Sequence, residues 1–477
     1  GAMMYQIFPD RFANGDPGND PDRVEPWDSA PTRKGFKGGD LEGIVDRLDY
    51  LVGLGTEVIY LTPVVTSPSN HRYDASDFHH VDPILGDDDA FDRLRAASAE
   101  RDIKLVVDLS LNHCHPTHQT FADVRDRGED SPYWSWFQVA EWPVQVRYRP
   151  QQRPERFAHF GEDDAAALET QTGIPLVRLD EEGRFLEPTY DSWYGVPTMP
   201  RFDLTNPETK RYLLDVTGHW VSRFGADGFR MDVARYIDLD FWRECRAFLR
   251  MVSDDVYLLC EIFGDAGAWL QGDTFDGTMN YAGRQLILDF CAGDLSGAEW
   301  SVGMERLLAS MTPESLQASQ LLLGSHDTPR FLTAVGGERW RLHLGTLLQF
   351  TLPGMPSVYY GDEVYAEGGG DPASRGAFPW GEEASSPLVD AVRELAALRR
   401  GSPALRHGDW QPAAVGDHWV SYLRRHAGDE VLVVVNRGSE PVTAQAGGRV
   451  PIWGEAEPSG DGVVVAPASG AILAPLS

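Results

Sequence analysis

The stretch GADGFRMDVAR (225–235) predicts a short buried strand, yet Arg230 and Asp232 interrupt its apolar residues. Strands of parallel sheets are buried on both faces and are normally rich in Val, Ile and Leu. Side chains alternate between the two faces of a strand, so Arg230 and Asp232 share one face, opposite Phe229 and Met231. The two charges are therefore expected to pair with each other inside the protein.

Similar short apolar runs recur along the chain, each followed by polar or glycine residues and separated by helical patterns. The eight runs are MMYQIF (3–8), EVIYLTP (57–63), KLVVDLS (104–110), GFRMDV (228–233), VYLLCEIF (256–263), GTMN (277–280), LLLGSHD (321–327) and SVYYGDE (357–363). Eight alternations of strand and helix predict an α/β fold, a (β/α)₈ TIM barrel, whose functional groups lie at the carboxyl ends of the strands.

The chain is longer than one barrel needs. A long segment after the third strand, residues 114–203, is rich in Trp, Pro and Arg and indicates an inserted domain. Short alternating runs with glycine turns at the end of the chain indicate an antiparallel β domain. We predict four segments: 4–113 and 204–400 for the catalytic barrel, 114–203 for the inserted domain B, and 401–477 for the C-terminal β domain.

The charge composition limits the partners. Lys and Arg number 42 against 73 Asp and Glu, for a formal charge of −31, which repels nucleic acid and anionic membranes and favours a neutral substrate. The chain lacks an apolar run of membrane-spanning length and lacks CxxC pairs, so a membrane protein, a disulfide framework or a zinc site is not expected. A cytoplasmic location is the simplest expectation, with a signal peptide that was removed left open.

Three carboxylates follow the fourth, fifth and seventh predicted strands: Asp232, Glu261 and Asp327. Cleavage of a glycosidic bond needs one carboxylate to attack or stabilise the sugar carbon and another, kept protonated, to donate to the leaving oxygen. We expect Arg230 to hold Asp232 ionised, and we expect desolvation after VYLLC to keep Glu261 protonated. Any one of these residues alone could instead be an ordinary strand-end residue.

The motifs carrying these residues resemble those of the alpha-amylase superfamily of retaining glycoside hydrolases. They occur in the order YLTPVVTSPSNHRYDASDF (60–78), DLSLNH (108–113), GFRMDVAR (228–235), CEIF (260–263), GSHDTPR (324–330) and GMPSVYYGDE (354–363). The resemblance covers about residues 4–400. It implies Asp232 as nucleophile, Glu261 as general acid and then base, and Asp327 as the group that binds sugar hydroxyls and stabilises the transition state.

The same resemblance implies further sugar-binding residues. His113, Arg230 and His326 would surround the sugar at the cleavage point, with Tyr73 stacked beneath it. GGGDPASRGAFPW (368–380) resembles the loop after the eighth strand, which implies that Asp371 and Arg375 lie near the next sugar out. A solvated glycine-rich turn is the alternative for this loop.

A calcium loop is indicated near the start of the chain. Oxygen-bearing side chains cluster around glycines in RFANGDPGNDP (11–21) and KGGDLEG (37–43), as hard cations prefer. The spacing resembles a calcium loop of cyclodextrin-processing and neopullulanase-like members, while an Asn/Asp/Gly-rich turn is the alternative. The predicted Ca²⁺ ligands are Asn14, Asp16, Asn19, Asp20, Gly38 and Asp40.

The branch most similar in motif contains cyclomaltodextrinase, neopullulanase and maltogenic amylase, which hydrolyse α-1,4 bonds, and in part α-1,6 bonds, in cyclodextrins, pullulan, starch or maltooligosaccharides. The chain departs from it at Val233–Tyr236 (VARY for VANE) and at 199–204 (MPRFDL for MPKLN). Because the first barrel strand starts at once, we expect the N-terminal domain of this branch to be missing. That domain commonly builds a dimer, so a monomer is expected. A 4-α-glucanotransferase or α-glucosidase on the same triad, and a catalytically inactive barrel used for binding, stay open as alternatives.

Overall fold

Eight parallel strands form the central sheet of the protein, whose computed structural model describes residues 1–158 and 160–476. The strands are β1 (Met4–Ile7), β2 (Val58–Leu61), β3 (Lys104–Leu109), β4 (Gly228–Met231), β5 (Tyr257–Cys260), β6 (Gly277–Thr278), β7 (Gln320–Leu322) and β8 (Met355–Tyr359). Strands pair in chain order, β8 pairs back to β1, and an isolated bridge between Met279 and Gln320 connects β6 with β7. All eight predicted strands and the barrel are confirmed.

Side chains fill the interior of the barrel. Met4, Tyr60, Val106 and Met355 form one buried cluster, and a second contains Leu259, Met279, Tyr281 and Leu322. The register places Asp108 of β3 directly beside Arg230 of β4. As in other packed barrels, apolar layers support the polar groups, which collect where the strands end.

Helices cover the outside of the barrel. Their bounds are Pro9–Phe12, Leu41–Asp46, Leu48–Leu54, Asp87–Ala99, Pro207–Ser222, Leu239–Val252, Tyr281–Ala292, Gly297–Ala309, Pro313–Ala318, Phe331–Ala334, Arg339–Thr351, Pro387–Gly401 and Pro403–His407. Between β5 and β6 the alternation fails, because the described residues there form a 3₁₀ turn, Gly267–Trp269, in place of an α-helix. Gly264 and Gly272 both have a φ of +91°, which interrupts helical backbone.

The segment after β3 leaves the barrel and contains secondary structure of its own, while its buried side chains join the main core. It contains helices Gln119–Arg127 and Glu162–Thr172 and a three-stranded sheet of Val146–Tyr148, Leu176–Arg178 and Leu186–Pro188. Bridges His113 to Arg201 and Phe137 to Phe202 hold the two ends of the excursion together. The excursion therefore returns beside the carboxyl end of β3. The limits of the four predicted segments remain a prediction of the sequence.

Antiparallel sheets form the C-terminal part, as predicted. The larger has five strands, in the order Asp409–Val415, Trp419–His426, Asp429–Asn436, Ser469–Pro475 and Arg449–Gly454, and the smaller has Val442–Gln445, Gly462–Val465 and Ala456–Ser459. Val433 and Val435 pack into the main core, whereas Leu432 and Val434 pack on the smaller sheet. A strand buried on both faces explains the continuous apolar run EVLVVVN. Among the described residues, each helix is too short or too polar to cross a bilayer.

Candidate active site

Arg230 is the centre of a buried group of carboxylates at the carboxyl ends of the strands. Its side chain is fully buried; Nη1 lies 2.8 Å from Asp232 Oδ1, and Nη2 lies 3.2 Å from Glu261 Oε1 and 3.6 Å from Asp327 Oδ2. The predicted pairing of Arg230 with Asp232 is confirmed. One guanidinium therefore gathers the three predicted catalytic carboxylates from β4, β5 and β7.

Asp108 is a fourth carboxylate of this group, and our sequence analysis did not select it. Arg230 Nη1 donates to both of its oxygens at 3.0 Å, and Tyr60 and Tyr73 each donate a hydroxyl hydrogen bond to Oδ2 at 2.7 Å. The signal was present in KLVVDLS, where a charge interrupts a buried strand as in GFRMDV. Because Asp108 holds Arg230 and Tyr73 together, it is a positioning residue of the site.

The pKa of Asp232, which faces Glu261 in the buried group, differs from the expectation. Burial raises the pKa of Asp232 well above its usual value and the charge of Glu261 raises it further, while Arg230 lowers it by less. The expectation that Arg230 keeps this pKa low is wrong, because one cation faces several desolvated carboxylates. Burial also raises the pKa of Glu261, against the opposing effect of Arg230. The pair therefore keeps a proton to higher pH than solvated carboxyls do. Of the two carboxylates, Asp232 lies nearer to Arg230, at 2.8 Å against 3.2 Å for Glu261.

Strained backbone at Val233 aims a donor at Glu261. Val233 has a φ of +43°, a conformation that is unfavourable for a β-branched residue. Its N–H donates to Glu261 Oε2 at 2.7 Å. The turn after Asp232 thus fixes the carboxyl group of the next strand, and the outward path of the chain is set by this contact.

His326 links Asp327 to the floor of the site. Its Nε2 lies 3.0 Å from Asp327 Oδ2, and its Nδ1 lies 2.8 Å from the side-chain nitrogen of the buried Gln6. The Gln6 side chain therefore anchors one side of the imidazole while Asp327 contacts the other. Although burial opposes ionisation, His326, Arg230 and Arg375 together lower the pKa of Asp327. Gln6, which the sequence did not single out, therefore holds the His326 ring against Asp327.

Tyr73 lies against the charged group around Arg230, and His113 is buried in the loop after β3. The Tyr73 hydroxyl is 2.6 Å from His326 Nε2, and the two rings stack at 5.4 Å with an interplanar angle of 15°. Burial lowers the pKa of His113 to about 4, so this imidazole is neutral and can hydrogen-bond a hydroxyl without adding charge. The ring of Trp193, from the inserted segment, lies 5.9 Å from that of His113.

Asp371 and Arg375 extend the charged group outward. Arg375 Nη2 lies 3.6 Å from Asp327 Oδ1, and Nη1 lies 3.3 Å from Asp371 Oδ1. Arg375 Nε also donates to the carbonyl oxygen of His326 at 2.9 Å. The loop after β8 is therefore attached to the catalytic group rather than being a free solvated turn.

The predicted calcium loop forms a compact cluster apart from the carboxylates. Asn14 donates to Asp20 Oδ1 at 2.9 Å, and a Cβ on Gly38 would lie 2.3 Å from the same oxygen. Asn19 Oδ1 is buried and has no hydrogen-bond partner among the described residues, so it could accept a cation. Both oxygens of Asp40 already accept N–H groups, from Gly15, Asp16, Asn19 and Gly43.

The donor chemistry of this loop fits a hard cation, since it consists of amide and carboxylate oxygens around a glycine backbone. Asp40 differs from the other predicted ligands, because its four N–H contacts use the four acceptor positions of a carboxylate. Clusters of three or more His, Cys, Asp or Glu side chains suited to a metal do not occur within the described part of the chain. Calcium therefore stays a prediction that depends on the side-chain oxygens of Asn14, Asp16, Asn19 and Asp20 and on backbone oxygens of the loop.

Known proteins share both the sequence and the fold. Residues 6–387 match the family described as "Alpha amylase, catalytic domain". A cyclomaltodextrinase of Geobacillus thermopakistaniensis is 39% identical over 444 residues, which cover 92% of this chain and 69% of that protein. Neopullulanase 2 of Thermoactinomyces vulgaris is 36% identical over 453 residues, covering 93% and 70% of the two chains.

A solved structure matches over the whole chain. The cyclic α-maltosyl-(1→6)-maltose hydrolase of Arthrobacter globiformis, in complex with cyclic α-maltosyl-(1→6)-maltose, has a TM-score of 0.86 and 38% identity, covering 99% of this chain and 98% of that one. The barrel fold and the carboxylates around Arg230 are both consistent with the match to this family. The chain belongs to the alpha-amylase family of glycosidases.

Proposed function

We propose that the protein is a retaining hydrolase of α-1,4-glucosidic bonds in cyclodextrins, pullulan, starch or maltooligosaccharides. The observation that carries the proposal is the contact of one buried guanidinium with Asp232, Glu261 and Asp327. A binding protein would have no need to hold three desolvated carboxylates together, because such a group is costly for the fold. An enzyme that needs an ionised and a protonated carboxyl side by side does need it.

In the first half of the reaction, an oxygen of ionised Asp232 forms a bond to the anomeric carbon of the sugar while the bond to the leaving oxygen breaks. Glu261 gives its proton to that oxygen, and the leaving glucan departs as an alcohol. In the second half, Glu261 takes a proton from water, whose oxygen replaces Asp232 on the anomeric carbon. Asp327, kept ionised by its cationic neighbours, accepts hydroxyl hydrogen bonds from the sugar.

Small cyclic glucans with α-1,6 bonds are a second candidate substrate. The hydrolase of cyclic α-maltosyl-(1→6)-maltose matches this chain over nearly the full length of both proteins, whereas the cyclomaltodextrinase is covered over only 69% of its length. Because the linkage is decided by the loops that hold the leaving group, one catalytic group can serve both bond types. Chromatography of products from cyclodextrin, pullulan, starch, maltotriose and this cyclic tetrasaccharide would rank the substrates and reveal glucanotransferase or α-glucosidase activity.

We further propose that calcium binds the loop at Asn14, Asp16, Asn19, Asp20 and Gly38. Its effect is structural, since a bound cation would hold the loop between β1 and the first barrel helix and satisfy the buried Asn19 oxygen. Asp40, whose oxygens already accept four N–H groups, would support the loop from within. The proposed assembly state is a monomer, and light scattering in solution checks it.

The stereochemistry of the released sugar tests the mechanism. Two displacements at one carbon retain the α configuration, so proton NMR during early turnover should detect the α anomer first. Early β anomer would exclude Asp232 as nucleophile. Failure of the wild-type protein to cleave any of these glucans would instead support the inactive-barrel alternative.

Substitutions separate the roles of the two carboxyls. Asp232→Asn should abolish turnover on every substrate, whereas Glu261→Gln should abolish it on glucans but still form the covalent intermediate from a glycosyl fluoride, whose leaving group needs little protonation. Asp390→Asn, an exposed aspartate on the outer helix Pro387–Gly401, is the control that should keep full activity. Full activity of Glu261→Gln on starch would identify a different acid.

A further inference from the structure

Residues 24–37, which we call the strap, form an ordered loop between β1 and helix Leu41–Asp46. The Lys37 side chain is fully buried, and its ammonium donates to the carbonyl oxygens of Pro26 and Ser29 at 2.6 and 2.8 Å and to Ser29 Oγ at 2.6 Å. Val24 pairs with Phe36 across the base of the strap. These buried, charge-assisted hydrogen bonds hold the loop in one conformation.

The tip of the strap contacts loops from three different strands. Arg33 Nη1 lies 3.0 Å from Asp371 Oδ2, in the loop after β8, and Nη2 donates to the Asp371 carbonyl oxygen at 3.3 Å. Asn70, in the loop after β2, donates to the carbonyl oxygens of Arg33 and Gly35 at 3.0 and 2.7 Å. Lys34 forms an ion pair with Asp164 of the inserted segment. The strap thus spans from the loop after β8 to the segment inserted after β3.

The barrel order locates the strap relative to the acid. Because the strands pair in chain order around the barrel, β1 and β5 are on opposite sides. The strap follows β1, and Glu261 follows β5. The leaving group must lie beside Glu261, which protonates it, so the strap lies on the other side, where the sugar chain that becomes attached to Asp232 is held. A row of ion pairs, from Asp327 through Arg375 to Asp371 and Arg33, connects the reacting centre with the strap.

We propose that the strap ends the cleft on the glycone side and limits the length of the sugar chain retained there. Arg33 and Lys34 are its specificity-determining residues, since their ion pairs hold the tip against Asp371 and Asp164. This inference rests on the proposed function. A glycone that extends past Asp371 meets the strap, so short sugars are favoured on the glycone side.

The test compares the products of the first cleavages of maltohexaose labelled at its reducing end. In such a substrate the unlabelled fragment is the glycone. For the Arg33→Ala/Lys34→Ala variant, we expect the ratio of unlabelled maltotriose and longer chains to maltose to rise about tenfold, the discrimination that one steric block provides. Lys37→Met, which removes the internal hydrogen bonds of the strap, should shift the ratio in the same direction.

The matched control is Lys210→Ala/Arg243→Ala. The side chain of Arg243 is 47% exposed, close to the 45% of Arg33, and Lys210 forms an ion pair at the surface. Both residues lie on helices outside the cleft. This control should keep the wild-type product ratio. An unchanged ratio in Arg33→Ala/Lys34→Ala, with cleavage intact, overturns the role of the strap. Absence of cleavage by the wild-type enzyme would instead overturn the proposed function, so the two failures are distinguishable.

Discussion

A buried glutamate away from the catalytic group makes the stability of the fold depend on pH. Glu363, after β8, is fully buried, and its Oε1 accepts hydrogen bonds from the hydroxyls of Tyr5 and Tyr50 at 2.5 and 2.8 Å. Its Oε2 is buried without a partner among the described residues. Burial raises the pKa of Glu363 from 4.5 to about 7, because two neutral phenols do not replace water around a charge.

The sign and size of the effect follow from this shift. The folded protein holds the proton more tightly than the unfolded chain, so the stabilisation is complete below pH 4.5 and is lost as the pH rises through 7. A shift from 4.5 to about 7, at 1.36 kcal/mol for each pKa unit, amounts to about 3 kcal/mol. Glu363→Gln keeps the acceptor for both tyrosines but cannot ionise. Its free energy of unfolding, relative to wild type, should therefore increase by about 3 kcal/mol between pH 5 and pH 8.

Urea denaturation followed by tryptophan fluorescence at several pH values measures this difference. Glu244→Gln, at an exposed ion pair with Lys210, is the surface control and should retain the pH dependence of the wild type. The reasoning would be refuted by parallel stability curves for Glu363→Gln and wild type across this range. Such a result would mean that the Glu363 carboxyl is solvated or paired in the folded protein.

Two further predictions concern the catalytic group and the calcium loop. Asp108→Asn should lower kcat about a hundredfold, because Arg230 and Tyr73 lose their shared anchor. Since the Asp108 charge raises the pKa of Glu261, the same change should move the alkaline limb of the pH–rate profile to lower pH, and an unmoved limb would exclude this role. Chelation of calcium should lower Tm, and excess calcium should restore it, because a ligand of the folded state stabilises by mass action. Asp16→Ala should remove this response, and equal Tm values of the wild type in chelator and in calcium would exclude the site.

Local sequence patterns were sufficient to predict the barrel and the edge at which Arg230 and the three carboxylates meet. Each strand is an apolar run bounded by polar or glycine residues, and alternation alone placed Arg230 and Asp232 on one face. Asp108 is also a charge within an apolar strand, but it stands alone there, and it was not selected from the sequence. The missing helix before β6 also had a local cause, the glycines at 264, 267 and 272.

Other features depend on contacts between distant parts of the chain and have no local signature. The number of carboxylates facing Arg230 is set by how four strands meet, so the balance that raises the pKa of Asp232 could not be derived from neighbours in sequence. Gln6 and His326 are 320 positions apart, and only closure of the barrel brings them together. The same is true of Arg33 and Asp371, 338 positions apart.

The junction between β6 and β7 is the place where the fewest strand residues close the barrel. β6 contains two residues, Gly277 and Thr278, and an isolated bridge at Met279 and Gln320 connects it with β7. The segment before it lacks the α-helix that covers most other strands in the described chain. Since few hydrogen bonds join the two strands along this seam, we expect its amide protons to exchange with solvent before those of β2 to β4. Asp327 follows β7, which borders the seam, and Glu261 follows β5, one strand away on the other side, so loosening of the seam reaches these two carboxylates before it reaches Asp232.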